Sequence, residues 1–244
     1  MELAKKMSIS SPLTPHASRL TPDAPLPASN ISRLTSPKIS RSYLISKRVF
    51  DITFAILLLP FLLPLMAVIG VLIKLDSKGP VFFRHERIGY QGEAFKCFKF
   101  RTMMQGAQKI LKDVLKQDPQ SLEEWNKDFK LKNDPRITKI GKFLRKTSLD
   151  ELPQILNVIK GEMSFVGPRP IIKDEIKMYG VDFEFYKNLK PGITGLWQVS
   201  GRNNVEYQSR VSLDKQYFFE QSLGLDILIL IKTIPEVLKS RGAY

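Results

Sequence analysis

The sequence is poor in the residues on which most protein chemistry relies. Cys97 is its only cysteine, which excludes an internal disulfide framework and a cysteine-based zinc site. His16 and His85 are its only histidines, so a histidine-rich metal centre is excluded as well. There is no G-x-x-x-x-G-K-[ST] phosphate loop, no G-x-G-x-x-G dinucleotide fingerprint and no G-x-S-x-G nucleophile elbow. Acids are few beside bases: 24 Asp and Glu stand against 38 Lys and Arg, a formal charge of +14. That excess favours acidic partners, whether phosphates, nucleic acid or an anionic membrane face. Carboxylates and hydroxyls are the side chains left for chemistry. With 43% of 244 residues hydrophobic, a core can form and global disorder is excluded.

Residues 1–42 are rich in Ser, Thr and Pro and show no apolar periodicity, so they read as a disordered tail with no catalytic part. No apolar run follows Lys5 and Lys6, so a signal peptide is not expected. From Ile52 to Ile73 the chain carries no charge at all. As a straight helix this run would reach roughly 33 Å, about the hydrocarbon thickness of a bilayer. A soluble core helix would show a polar face, and this one has none. Membrane contact is therefore expected over a segment at 43–76. Pro60 and Pro64 interrupt the run, and basic residues lie on both flanks: Lys38, Arg41, Lys47 and Arg48 before it, Lys74, Lys78, Arg84 and Arg87 after it. A re-entrant hairpin broken near Pro64 puts all of these on one side of the membrane, as the positive-inside rule asks. A kinked spanning helix is the alternative.

The remainder, 77–244, reads as a separate α+β unit, mostly helical. Alternating apolar and charged residues from Val81 to Met103 predict a short basic β-hairpin that turns between Arg87 and Glu93, with Cys97 as a small buried hydrophobe. A lysine-rich helix is expected over about 105–132, suited to an anionic lipid face or to plain solvent. Further helices are expected over about 152–159 and 173–179. The apolar run Ile227–Ile231 is too short to span and is expected to end at Pro235, as core or as a second interfacial element.

The chemistry concentrates between Thr138 and Pro170. Asp150 and Glu151 are adjacent carboxylates preceded by Lys142, Arg145 and Lys146. Ser148 and Glu151 have the spacing of a capping box, and Asp150 suits a helix N-cap with Pro153 in the first turn. Two carboxylates at a helix start ringed by cations also suit a divalent cation bridging them to a phosphate. Pro168 and Pro170 restrict the backbone of Arg169 and pre-set its fork, which matches phosphate oxygens; an exposed arginine in a rigid turn is the plainer alternative. Arg202 sits in the loop Gly201-Arg202-Asn203-Asn204. Asp214, an isolated acid on a helical pattern, reads by itself as a surface residue. The basic hairpin follows the membrane run directly, so phosphate or headgroup contact explains it as well as nucleic acid does.

Taken in order, Lys47-Arg48-Val49-Phe50-Asp51, the proline-broken run, KFRTM (99–103), RKTSLDELPQILNVIKGEMSFVGPRP (145–170), PGITG (191–195), QVSGRNN (198–204) and the LD of 213–214 resemble the bacterial sugar transferases, monotopic polyprenyl-phosphate phosphoglycosyl transferases. The resemblance covers about 45–244 and implies a re-entrant membrane helix, interfacial amphipathic helices and a catalytic domain on the cytoplasmic face of the bacterial inner membrane. It implies transfer of a hexose-1-phosphate from a UDP-sugar to undecaprenyl phosphate, with release of UMP, Mg²⁺ as cofactor and no nucleic-acid partner. Exopolysaccharide, capsule or O-antigen assembly would be the pathway. Asp150 matches the family's nucleophile and Glu151 its carboxylate partner, the two also holding the metal. Arg145, Arg169 and Arg202 match arginines that clamp phosphates, Lys99 is a weaker candidate for the same work, and Asp214 would orient an arginine or the metal shell. Gly201–Asn204 resembles the galactose-1-phosphate members more than the glucose ones, with UDP-glucose or a UDP-N-acetylhexosamine as alternative donors. A basic membrane scaffold without activity is the alternative of another class. Leu63 stands where the family carries a serine before Pro64. The further membrane helices of larger members are not in this sequence, so a minimal catalytic unit is expected.

Overall fold

The computed structural model describes residues 40–128, 131, 133–201 and 205–238. The tail assigned to 1–42 and His16 therefore lie almost wholly outside the described residues, as do Lys38 and Arg202. The helix α1 spans Arg41–Asp76 and is followed by strands β1, Phe82–Ile88, and β2, Ala94–Phe100. Then come α2 (Ala107–Gln117), α3 (Pro119–Asp128), α4 (Lys139–Thr147), a 3₁₀ turn at Leu149–Gln154, α5 (Ile155–Lys160) and β3 (Ser164–Val166). The last part holds α6 (Ile176–Tyr179), α7 (Phe183–Tyr186), β4 (Gly192–Thr194), α8 (Leu196–Val199), α9 (Tyr207–Glu220) and α10 (Leu223–Leu238). Among the described residues the architecture is mostly helical with two small sheets: β1 and β2 pair antiparallel from Phe82↔Phe100 to Ile88↔Ala94, and β3 and β4 pair parallel.

The apolar run forms one helix in which Pro60 and Pro64 are internal. Its buried positions Asp51, Ala55, Met66, Ile69 and Ile73, with half-buried Leu58, Leu59 and Leu62, recur at helical spacing along its length. The N-terminal half packs on Val158, Met163, Phe165 and Ile229, and the C-terminal half on Phe100 and Leu144. Both halves thus hold to the same globular unit. The opposite face exposes Ile56, Leu57, Phe61, Leu63, Leu65, Val68, Val71 and Leu75. An apolar face of that length has no counterpart on a water-soluble surface, which ties the chain to a membrane. Leu63 belongs to this outer face.

Polar hooks fix α1 at both ends. Lys47 ion-pairs with Asp226 at 2.7 Å, and Tyr43 and Tyr217 also donate to that fully buried carboxylate. Arg48 donates to the carbonyls of Val158 and Ile159, at 2.6 and 2.9 Å, where α5 ends. Asp51 accepts from Ser164 Oγ and the Phe165 N–H at the start of β3. At the other end Arg101 donates to the carbonyls of Ser77 and Lys78 and to Ser77 Oγ. Lys47 and Arg48, counted from sequence as flanking membrane charges, are therefore engaged within the protein.

Three expectations change. The single helix over about 105–132 is two, because Asp118 ends α2 and its carboxylate caps the next helix through the N–H groups of Gln120 and Ser121, with Pro119 in the first turn. The C-terminal helix runs through Pro235 rather than stopping there. Its positions Ile227, Leu228, Ile231 and Ile234 are exposed, while Asp226 and Ile229 are buried. Asp214 is not a surface residue: it is 3% exposed and accepts a 2.7 Å hydrogen bond from Tyr179 Oη.

Candidate active site

The site begins where α4 stops. Thr138 caps that helix by accepting from the Gly141 N–H. Ser148 ends it in the left-handed region, φ 58°, with its N–H returned to the carbonyls of Arg145 and Leu144. The reversal carries the chain straight into the 3₁₀ turn, so Asp150 and Glu151 leave it one behind the other. Neither carboxylate caps the turn. The capping box that Ser148 and Glu151 could have formed is not made, and Asp150 is not an N-cap. Glu151 is instead paired with Lys99, and Asp150 takes a hydrogen bond from its own backbone N–H.

Glu151 accepts from Lys99 Nζ at 2.5 Å, across from the β2 strand. Burial by itself would raise its pKa, but Lys99, Arg169 and Arg87 hold it below the ordinary carboxylate value. Asp150 goes the other way: burial first, then the charge of Glu151, push it up to about 6, against the pull of Lys99 and Arg145. Two acids side by side with divergent proton affinities are a mark of functional carboxylates. Arg145, from the last turn of α4, donates its Nε to Thr102 Oγ1 at 2.9 Å.

Arg169 leaves a turn pinned to β4 by Gly167 N–H to Thr194 O, 2.9 Å, and Gly192 N–H to Pro168 O, 2.8 Å. A Cβ on Gly167 would strike the Lys190 carbonyl and one on Gly192 the Gly167 backbone, so this close approach requires glycine. The Arg169 guanidinium carbon lies 5.9 Å from the Trp197 ring centre, and that of Arg210 lies 4.9 Å from it. Arg169, Trp197, Tyr207, Arg210 and the buried Asp214 line one small cavity. Burial raises Asp214 to about 7, against its Tyr179 hydrogen bond and the two arginines.

The structure thus brings together Asp150, Glu151, Lys99 and Arg145, places Arg169 within electrostatic reach of Glu151, and sets Asp214 in the neighbouring cavity. Arg202 lies outside the described residues. Sequence reading missed Arg87, which donates to the Pro170 carbonyl at 3.1 Å and to His85 Nδ1 at 3.1 Å and faces Glu175 at 3.7 Å. It gave His85 no part, yet that ring sits beside Arg87, and burial with the charges of Arg87 and Lys99 lowers its pKa. The strand register carries the signal: Phe83, His85 and Arg87 alternate onto the face shared by Lys99 and Cys97. Cys97 is buried as expected.

No group of three or more His, Cys, Asp or Glu able to hold a metal occurs among the described residues. Magnesium does not need one, since it binds through one or two carboxylates together with substrate phosphates and water. Asp150 and Glu151, adjacent and uncommitted to capping, fit that donor set.

The model of the bacterial sugar transferase family matches residues 42–240, and the chain belongs to that family of enzymes. It is 51% identical over 200 residues to the exopolysaccharide production protein ExoY of Sinorhizobium fredii, covering 82% of this chain and 88% of that one. It is also 50% identical over 214 residues to the UDP-galactose-lipid carrier transferase of Erwinia amylovora, covering 88% of this chain. A third relative, 50% identical over 212 residues and 87% of this chain, is the undecaprenyl-phosphate galactose phosphotransferase of Salmonella typhimurium. The chain spans 45% and 44% of the length of the latter two.

Proposed function

We propose that the protein transfers a hexose-1-phosphate, galactose-1-phosphate foremost, from a UDP-sugar to undecaprenyl phosphate and releases UMP. The observation that carries this reading is the Asp150–Glu151 pair, free of capping and faced by Lys99, Arg145 and Arg169. In the first step an Asp150 carboxylate oxygen attacks the β-phosphorus. The bond to the bridging oxygen breaks, and its electron pair leaves on UMP. In the second step an oxygen of the lipid phosphate attacks the aspartyl phosphosugar, breaks the phosphorus–carboxylate bond and restores Asp150. Nucleophile and both substrates are anionic, so the cations offset their repulsion. Mg²⁺ held by Asp150 and Glu151 would supply further charge neutralisation at the transferred phosphoryl group. Arg169 and Arg202 are the remaining phosphate clamps in this reading, and Asp214 supports the arginine side of the cavity.

The galactose assignment draws on the names of the Erwinia and Salmonella relatives, and the place in exopolysaccharide, capsule or O-antigen assembly on those relatives and ExoY. UDP-glucose and UDP-N-acetylhexosamines are the competing donors. A re-entrant α1 is supported by its buried stripe, since a helix that left the domain to cross a bilayer would not stay packed on it at both halves. In this arrangement the exposed faces of α1 and α10 meet lipid, and the site faces the cytoplasm at the inner membrane.

The test is UMP release by purified protein with Mg²⁺ and undecaprenyl phosphate, each UDP-sugar supplied separately. Release from one donor, abolished in D150N with and without lipid acceptor, is the expected result. Full activity in D150N would remove Asp150 as nucleophile, and silence of the folded protein with every donor would favour an unusual donor first and the scaffold second.

A further inference from the structure

Arg145 is held at one nitrogen and left open at the others. Its Nε donates to Thr102 Oγ1, while its Nη groups make no hydrogen bond to another described residue. Two carboxylates act on it by charge, Asp150 and Asp134. Asp134 is already taken. Arg136 donates to it through Nε at 2.8 Å, Nη2 at 2.6 Å and its own backbone N–H at 3.0 Å. That pair is almost fully buried, and the Arg136 guanidinium also stands 5.2 Å from the Trp125 ring centre. A bidentate pair of this kind leaves Asp134 little capacity for a second arginine.

Thr102 is itself fixed. It is 7% exposed, its carbonyl accepts from the Thr138 N–H at 3.1 Å, and the next residue, Met103, bridges to Ile137. Gly141 lets α4 lie directly on that carbonyl, since a Cβ there would overlap it. Thr102 and Arg145 are therefore joined through the backbone contact of two elements as well as through the hydroxyl. A hydroxyl so anchored sets the plane of the guanidinium, which has few other constraints.

We infer that Thr102, with Asp134 pre-empted by Arg136, is a positioning residue that turns the free edge of Arg145 toward the phosphoryl group Asp150 attacks. The inference rests on the donor reaction proposed above. Without the hydroxyl, Arg145 keeps its charge but loses its orientation, and a misplaced transition-state contact costs rate more than binding.

The experiment compares wild type, T102V, T102S, R145A and T102V/R145A as full-length protein with Mg²⁺, UDP-sugar and undecaprenyl phosphate. T102V is expected to lower kcat for UMP release about tenfold with little change in donor KM. T102S keeps the hydroxyl and retains most of the rate, and T102V adds no further loss in the R145A background. A wild-type kcat in T102V, or the same fractional loss with and without Arg145, would overturn the inference. Nitrogen-15 NMR of the arginine Nε–H groups, with the Arg145 signal identified by its absence in R145A, reads the contact without turnover. The signal should be protected from exchange with water in wild type and T102S and exposed in T102V. An exposed wild-type signal refutes the hold. A protected signal in wild type that releases no UMP from any donor overturns the donor reaction, and with it the role assigned to Thr102.

Discussion

Ser148 carries a backbone conformation that a side chain disfavours, two residues before the first of the two carboxylates on which the proposed chemistry depends. Its cost is local and removable. S148G should stabilise the fold by up to about 1 kcal/mol, seen as a higher thermal midpoint in detergent. Asp150 gives the pH behaviour. Its folded-state pKa is raised to about 6, by burial and then by Glu151, so folding favours its protonated form. The stability it contributes is therefore present below the unfolded value and lost as pH rises through about 6. D150N should accordingly melt higher than wild type at pH 7.5. Only the ionised form is a nucleophile, so UMP release should climb with pH through the same region at low Mg²⁺. Saturating Mg²⁺ should move that limb to lower pH, because a bound cation favours the charged carboxylates. A limb that Mg²⁺ leaves in place would separate the metal from the pair.

Among the elements, the polar part of the hold between α1 and α10 passes through one buried carboxylate, beside the apolar contact at Ile229. Asp226 is fully buried, and among the described residues its one paired cation is Lys47 at 2.7 Å. K47M leaves that charge without a counterion and should cost about 3–5 kcal/mol in chemical denaturation, whereas K47M/D226L, which removes both charges, should recover much of it. Equal losses in the two variants would mean that Tyr43 and Tyr217 rather than Lys47 sustain Asp226. The short motif Lys47–Asp51, readable from sequence as flanking charge and as a family signature, is in this sense a set of three anchors, one each to α10, α5 and β3.

The whole molecule turns on whether both ends of α1 lie on one side of the membrane. Ser42 and Lys78 are exposed polar residues at its two ends, and Cys97 is buried, so the native thiol stays silent in folded protein. S42C and K78C, made one at a time, should both react with a membrane-impermeant maleimide supplied from the cytoplasmic side of inverted vesicles. Labelling of one alone would make α1 a spanning helix.

An uncharged run of membrane length, an excess of basic residues and a shortage of thiols and imidazoles are properties of composition and order along the chain. The sequence by itself therefore determined the membrane contact, the β-hairpin, and a chemistry of carboxylates among cations. Periodicity also placed most helices, but it could not place their ends at Asp118 or Pro235, where side-chain capping and packing prevail over local preference. Whether Asp150 and Glu151 cap a helix or face outward was undecidable from spacing, because both uses need the same residues at the same positions. That choice came from Lys99, brought across from β2 to claim Glu151, and from the Ser148 reversal, which turns the pair away from capping. The burial of Asp214 beside Tyr179 and the entry of Arg87, through the Pro170 carbonyl, are likewise matters of long-range contact. Side-chain roles of that kind depend on partners tens of residues away, and only the folded chain sets those distances.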